Sequence, residues 1–244
     1  MHRFFVSPDQ IIRGRVRFRP DQAHQIGRVL RLSVGDGVVA LDGAGRAYTV
    51  TLDEVTRQGA SGRITAEAAA GGEPRAHLTL YQSLLKRDKF EWVLQKGTEI
   101  GVSRFVPVLT RRTLVRDAET VTPEKRARWE RIITEAAEQS GRARLPELAP
   151  PLEMAAALDE VAGRGLIAWE APGGAGLGAA LAGWDGEPLA LFIGPEGGYE
   201  TAEIEAAAAR GIVPVTLGPR ILRTETAALV AAALALYTLG ELGP

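Results

Sequence analysis

The sequence predicts an α/β domain built on a mostly parallel sheet and preceded by a small β-barrel, and three observations carry that reading. Apolar runs at residues 78–84, 105–109, 166–169, 189–193 and 213–217 have the length of strands buried on both faces, and they alternate with helical patterns. Up to about residue 72 the runs are shorter and are separated by Gly and Asp turns. Between the two regimes, Ala68-Ala69-Ala70-Gly71-Gly72-Glu73-Pro74 is small and breaker-rich, as a linker is. The expected domains are residues 1–72 and 73–244.

Each element has a local reason. Gly37-Val38-Val39-Ala40-Leu41, the turn at Asp42-Gly43 and Ala47-Tyr48-Thr49-Val50-Thr51-Leu52 read as strands rich in β-branched and aromatic residues. Pro20 and Asp21 open a short helix that carries Ala23, Ile26, Val29 and Leu30 on one side, with His24, Arg28 and Arg31 elsewhere on it. Phe90, Val93, Leu94, Gly97 and Ile100 recur at helical spacing. Trp129, Ile132, Ile133 and Ala136 do the same in a helix capped by Thr122 with Pro123 at its first position. A last helix, from about residue 224 to 239, is apolar nearly all round, so it is either central to the domain or covered by a second copy of the chain.

Composition narrows the function classes. With 244 residues, 45% apolar and 24% charged, the chain is globular and has enough length for a real core. It contains no cysteine, which removes disulfides, thiol nucleophiles and the usual structural zinc sites. Met1 to Asp9 turn polar before a signal-peptide core forms, and the longest uncharged stretch, 226–240, is shorter than the roughly 20 residues of a membrane-spanning helix. The expectation is a cytoplasmic protein with no membrane segment. Charge is uneven: residues 1–116 carry nineteen Lys and Arg against eleven Asp and Glu, a net +8, while residues 117–244 carry a net −9. Such asymmetry suits a chain whose first half meets a polyanion, and equally a chain with one solvated basic face.

Two loops combine glycine, a charged residue and a place at the end of an apolar strand. They are Phe192-Ile193-Gly194-Pro195-Glu196-Gly197-Gly198-Tyr199, followed by a helix with Thr201 as candidate cap, and Leu217-Gly218-Pro219-Arg220-Ile221-Leu222-Arg223-Thr224-Glu225-Thr226-Ala227. In open α/β sheets ligands sit beyond the carboxyl ends of the strands, so both loops are placed to touch one ligand. There is no phosphate-binding loop and no lysine in either, which disfavours a nucleoside triphosphate. A cofactor with an adenine and a cationic sulfonium fits backbone contacts, apolar walls and a carboxylate such as Glu196. Taken alone, Gly194 to Gly198 also reads as a plain tight turn. Gly174-Ala175-Gly176-Leu177-Gly178-Ala179 formally matches a dinucleotide pattern, but Gly183 and Gly186 cut short the helix that pattern needs, and it reads as a flexible surface loop.

With these residues in view, the carboxyl-terminal domain resembles the SPOUT (α/β-knot) superfamily of RNA methyltransferases, and the whole chain resembles its 16S ribosomal RNA uridine-N3 methyltransferase family. The blocks that carry the resemblance are His2-Arg3-Phe4-Phe5; Val29-Leu30-Arg31; Lys96-Gly97-Thr98-Glu99-Ile100-Gly101-Val102; Arg111-Arg112-Thr113; Glu135-Ala136-Ala137-Glu138-Gln139-Ser140 with Arg142; Ile193 to Gly198; and Leu217-Gly218 with Ile221 to Ala227. Gly97 stands where Ala is more usual, Tyr199 where Phe is, and the stretch from Pro172 to Gly183 matches nothing recognisable.

The resemblance implies a trefoil-knotted, mostly parallel sheet flanked by helices, a PUA-like β-barrel that binds RNA, a homodimer, and S-adenosylmethionine as cofactor with no metal. It implies methylation of a uridine N3 in 16S rRNA of the small ribosomal subunit. The candidate cofactor residues are Trp169, Glu170, Phe192, Ile193, Gly194, Pro195, Glu196, Gly197, Gly198, Leu217, Gly218, Ile221, Leu222, Arg223 and Thr226. Because the N3 proton is weakly acidic, something must accept it or stabilise the anion. Arg223 is the candidate stabiliser, with Glu225 or Glu196 as candidate base; the alternative is that Arg223 pairs with one of them and only shapes the loop. Candidate RNA contacts are Arg3, Arg13, Arg15, Arg17, Arg28 and Arg31, with Lys86, Arg111, Arg112 and Arg142. Two other functions stay open: a SPOUT ribose 2′-O-methyltransferase, disfavoured because those enzymes usually carry an asparagine-centred loop where Ile221 to Thr226 stand, and a non-catalytic assembly factor.

Overall fold

In the computed structural model of the chain, residues 1–86, 88–114, 121–170 and 175–243 are described. They form two compact units, one of Met1–Glu73 with Thr134–Leu145 and one of Pro74–Ile133 with Pro146–Pro244. The expected cut between residues 72 and 73 is therefore not the whole division. Residues 134–145 belong with the first unit because Glu138 and Arg142 find their partners there, as described below.

The first unit contains β1 (His2–Phe5), β2 (Ile11–Ile12), β3 (Arg15–Phe18), α1 (Pro20–His24), β4 (Gly37–Leu41), β5 (Arg46–Val55) and β6 (Ala60–Ala69). Its sheet runs β1-β4-β5-β6-β3-β2, with β1 parallel to β4 and the other pairs antiparallel. Phe4, Val16, Phe18, Ile26, Val38, Val50 and Leu52 form its core. Strand β6 runs through Ala68 and Ala69, so the expected linker starts later than its composition suggests. Val29, expected on the apolar face of the short helix, is 64% exposed. The turn Gln25–Val29 is a π-helix, and its wider winding breaks the 3.6-residue phase on which that expectation relied.

Two contacts tie residues 134–145 to this unit. The Phe5 N–H donates to Glu138 Oε1 at 2.9 Å. Arg142, only 3% exposed, donates to Glu73 Oε2 at 2.7 Å, and the same carboxylate accepts the Ala143 and Arg144 N–H groups at 2.9 and 3.0 Å. Burial alone would raise the Glu73 pKa, but the guanidinium and the backbone donors outweigh it and hold the carboxyl below its usual range.

The second unit contains β7 (Leu78–Ser83), α2 (Lys89–Ile100), β8 (Arg104–Leu109), α3 (Pro123–Ser140, through Ile133), β9 (Glu147–Leu148), β10 (Leu152–Glu153), α4 (Met154–Asp159), β11 (Arg164–Ala168), β12 (Ala175–Gly176), α5 (Leu177–Ala180), β13 (Leu189–Ile193), α6 (Thr201–Ala208), β14 (Val213–Thr216) and α7 (Thr224–Thr238). The sheet order is β10-β8-β7-β13-β11-β14-β12, with β9 also on β8, and every pair is parallel. Strand alternation sends side chains to two cores. Leu78, Leu80, Phe105, Leu189 and Leu191 join residues of α2, α3 and α7, while Tyr81, Val106, Ala190 and Phe192 join residues of α4 and α6. The fold is thus α/β, with a parallel sheet flanked by helices.

Local rules account for the helices. Thr122 Oγ1 accepts the Lys125 N–H at 3.3 Å, so it caps α3 as its sequence position predicts. Gly97 admits the Phe105 ring, which would lie 2.8 Å from a Cβ at that position. The surface loop expected around Gly176 is corrected in part: Ala175 and Gly176 pair with β14, and Leu177, which opens α5, is only 4% exposed and anchors it in the core. Pro172, Gly173 and Gly174 lie outside the described residues. Helix α7 buries Ala228, Ala231, Ala232, Ala235 and Leu236, but Leu234 and Tyr237 are 43% and 68% exposed, so this unit covers one face of the helix and leaves the other open. Among the described residues, no helix is long and apolar enough to cross a membrane.

Candidate active site

A cavity of about 390 Å³ opens where β11, β13 and β14 end, at Ala168, Ile193 and Thr216. The two glycine loops form most of its wall, as their place beyond the carboxyl ends of the strands predicts. Gly194 sits in a close approach to Tyr199. A Cβ there would lie 3.1 Å from the Tyr199 ring, which is buried and whose phenol burial pushes well above its ordinary range.

A hydrogen-bonded chain holds the two loops together. Gln82 Nε2 donates to Thr224 Oγ1 at 3.2 Å, and Thr224 Oγ1 donates to the Gly194 carbonyl at 2.5 Å. Thr224, the first residue of α7, thus ties the two loops together. The residue in the cap position is Arg223, whose extended backbone (φ −64°, ψ 148°) leads into α7 and whose carbonyl accepts the Ala227 N–H at 2.7 Å. A second tie fixes the neighbouring loop: the Glu203 carboxylate accepts the Arg111 N–H at 3.0 Å and the Glu200 N–H at 2.8 Å. Glu200, not Thr201, occupies the cap position of α6.

The charged groups are arranged around Lys89. Its ammonium lies 3.5 Å from both Glu196 Oε1 and Glu225 Oε2. At that distance the attraction is coulombic, and Glu225 Oε2, though buried, has no hydrogen-bond donor among the described residues. Among those residues Arg223 forms no ion pair, so the two carboxylates are balanced by a lysine from the start of α2 and not by the loop arginine. Lys89 escaped the sequence reading because it lies far along the chain from both loops; its single signal was its place at the first turn of a helix after a strand.

Most of the predicted cofactor residues meet at this cavity. Trp169, Glu170, Ile193, Gly194, Pro195, Glu196 and Gly198 line it, as do Leu217, Gly218, Ile221, Leu222 and Arg223. Glu225 lines it too, together with residues the sequence reading did not name as cofactor contacts, such as Tyr199, Thr216 and Arg220. Three candidates do not line it. Phe192 is fully buried on the other face of the sheet, stacked on Tyr81 with ring centroids 4.2 Å apart. The exposed Gly197 turns its carbonyl to Arg112 Nη1 at 3.1 Å, and Thr226 faces solvent one turn into α7.

The predicted RNA contacts divide by burial. Arg3, Arg13, Arg15, Arg17, Arg28 and Arg31 are exposed in the first unit, with Arg15 paired to Asp53 at 2.7 Å. Lys86, Arg111 and Arg112 are exposed in the second. Arg142 is the exception: buried against Glu73, its guanidinium braces the fold and is not offered to a phosphate. Among the described residues no group of three His, Asp or Glu side chains converges as a metal site.

Comparison with known proteins places this geometry. The RNA methyltransferase domain model matches residues 72–236, and the RNA methyltransferase PUA domain model matches residues 18–65. The chain belongs to the RNA methyltransferase family that these models describe. Ribosomal RNA small subunit methyltransferase E of Synechocystis is 38% identical over 236 residues, covering 95% of this chain and 76% of that protein. The protein of the same name from Bacillus subtilis is 32% identical over 218 residues, covering 86% and 85%. Among solved structures, ribosomal RNA small subunit methyltransferase E from Neisseria gonorrhoeae bound to S-adenosyl methionine is 34% identical, with a TM-score of 0.87 over 98% of each chain. A putative methyltransferase from Legionella pneumophila in complex with bound SAM is 29% identical, with a TM-score of 0.85 over 96% of each chain. The family's PUA domain thus falls within the first unit, and the cavity within the methyltransferase domain.

Proposed function

We propose that this protein transfers a methyl group from S-adenosylmethionine to the N3 atom of a uridine in 16S rRNA of the small ribosomal subunit. The observation that carries the reading is the single cavity formed by both glycine loops at the carboxyl ends of the sheet. The residues present fit the cofactor. Ala168, Ile193, Leu217 and Leu222 supply apolar walls, and the volume lies within the roughly 300 to 1,000 Å³ of small-ligand sites. Glu196 and Glu225 bring two carboxylates to the cavity against the one ammonium of Lys89, a net negative charge that suits a cationic sulfonium. S-adenosylmethionine supplies an electrophilic methyl group on such a cation.

The chain's own residues do the rest. The Gln82, Thr224 and Gly194 chain keeps the loops in register, and alignment is the main demand of an in-line methyl transfer. Arg223, exposed at the cavity rim, stabilises the negative charge that builds on a uridine losing its N3 proton. Glu225 and Glu196 are the candidate acceptors of that proton, and Lys89 holds both. The exposed arginines of the first unit bind RNA phosphates.

The same reading covers assembly and location. The sheet order, with β13 between β7 and β11 and β14 beyond β11, supports a trefoil-knotted carboxyl-terminal chain, and the first unit reads as a PUA-like barrel. The open apolar face of α7, with Leu234 and Tyr237, supports a homodimer, and a cytoplasmic location follows from the proposed action on ribosomal RNA. Calorimetry is expected to show binding of S-adenosylmethionine and S-adenosylhomocysteine without added metal, and none of NAD or ATP, by a protein that sediments as a dimer at micromolar concentration. Tight dinucleotide binding without S-adenosylmethionine binding overturns the enzymatic reading, and an active monomer overturns the dimer.

A further inference from the structure

The first unit holds a second cavity that the methyl-transfer reading leaves unused. Its volume is about 280 Å³, and Arg3 and Phe4, Leu30, and Glu135, Glu138 and Gln139 all line it. These residues come from three separate blocks of the sequence, at 2–5, 29–31 and 135–140. The fold brings the three together around one space, and the hydrogen bond from the Phe5 N–H to Glu138 Oε1 at 2.9 Å joins the first and the last of them.

We propose that this cavity binds one unpaired guanine of the RNA substrate, read along its Watson–Crick edge by the Glu138 carboxylate. The inference rests on the RNA-methylating function proposed above. An ionised carboxylate only accepts hydrogen bonds, and each of its oxygens takes two, so Glu138 retains capacity beyond the Phe5 N–H. Guanine is the base that offers two adjacent donors, N1–H and the 2-amino group, to such a carboxylate. Uracil offers one N–H between two carbonyl oxygens that repel the carboxylate, and cytosine and adenine set a lone amino donor beside a ring acceptor. The guanine O6 then needs a donor, which the Gln139 amide and the Arg3 guanidinium supply from the same wall. A phosphate does not suit the cavity, because Glu135 and Glu138 would repel it.

The surroundings agree. Met1 and Leu30 give apolar lining for the body of a base, with the buried Phe4 packed beneath them in the core, and unpaired RNA bases are commonly read by burial of this kind. Arg3 packs its guanidinium against the bare backbone of Gly141, where a Cβ would lie 2.8 Å from Nη1. Arg28 and Arg31, exposed and next to Leu30 in the chain, add positive charge for RNA phosphates. Burial, reinforced by nearby Glu135 and Asp21 and opposed by the Phe5 N–H and Arg19, pushes the Glu138 carboxyl up to about 7. Such a group is partly protonated near neutral pH, so guanine, whose two donors need the ionised form, binds in competition with the proton, and the guanosine preference should strengthen as pH rises through about 7.

The test measures binding of the full-length chain to single-stranded RNA decamers of uridine that carry one central guanosine, inosine or uridine, read by fluorescence anisotropy. Inosine lacks the 2-amino group. The guanosine decamer is expected to bind about tenfold more tightly than either of the others, the size of one bidentate base contact. Glu138→Gln should abolish that preference, and Gln139→Ala should weaken it, while both variants keep their affinity for S-adenosylmethionine. Equal affinity for the three decamers, or a guanosine preference that survives Glu138→Gln, overturns the proposal. If the chain binds S-adenosylmethionine and methylates ribosomal subunits in either of those cases, the guanine site alone is wrong. If it does neither, the function beneath the proposal is wrong as well.

Discussion

Arg223→Ala is expected to abolish most methyl transfer while leaving affinity for S-adenosylmethionine nearly intact. The side chain is exposed at the cavity rim, and its own backbone is held independently by the Ala227 N–H and by Thr224, which ties the loop to Gly194. Truncation therefore removes a guanidinium without releasing the loop. Were Arg223 a brace for Glu196 or Glu225, its loss would loosen the cofactor site, but those carboxylates lie 3.5 Å from Lys89 instead. Losing a donor aimed at developing negative charge costs about 3 to 4 kcal/mol, or about a hundredfold to a thousandfold in rate. Single-turnover methylation of small ribosomal subunits across a range of pH, beside calorimetry with the cofactor, checks this. Partial rescue at high pH supports a role in easing N3 deprotonation. Unchanged turnover removes Arg223 from the mechanism, and a joint loss of turnover and cofactor affinity makes it a brace.

Phe192→Ala should produce the opposite pattern, a large loss of stability with cofactor affinity retained by the molecules that stay folded. Phe192 is fully buried and stacks on Tyr81 at 4.2 Å with the rings 7° from parallel. Emptying such a site costs about 3 to 5 kcal/mol in lost contacts and residual cavity. For a chain of this size, that corresponds to a fall in Tm of about 10 °C. Its neighbour Ile193 points the other way, into the core shared with α2 and α7 beside the cavity, because successive strand residues face opposite sides of the sheet. Thermal unfolding and calorimetry on Phe192→Ala, with Phe192→Leu as the milder variant, measure both effects. A large loss of cofactor affinity in the stably folded Leu variant would return Phe192 to the site.

The contrast between Phe192 and Ile193 shows what the sequence made legible. Apolar runs placed all five longer strands of the parallel sheet, since strands buried on both faces must be apolar throughout. That same uniformity hides which face a residue occupies, so Phe192 and Ile193 look alike until the register is known. The short strands β9, β10 and β12, of two residues each, lack the length to show any period. Within the site, the glycine loops were readable because their chemistry is local. Lys89 and Gln82 were not, because each acts on a loop more than a hundred positions away. Arg142 shows the reverse: an arginine in an RNA methyltransferase-like block suggests phosphate, but Glu73, 69 positions earlier in the chain, takes it into the interior.

The most direct measurement of the central claim uses small ribosomal subunits from a strain lacking this protein, incubated with the purified chain and S-adenosylmethionine labelled in its methyl group. Nuclease digestion and mass spectrometry then locate the label. The account predicts one labelled nucleotide in 16S rRNA, recovered as N3-methyluridine, with Arg223→Ala giving little of it in the same time. Label on a ribose 2′-oxygen, or no transfer by a chain that binds the cofactor, would contradict it.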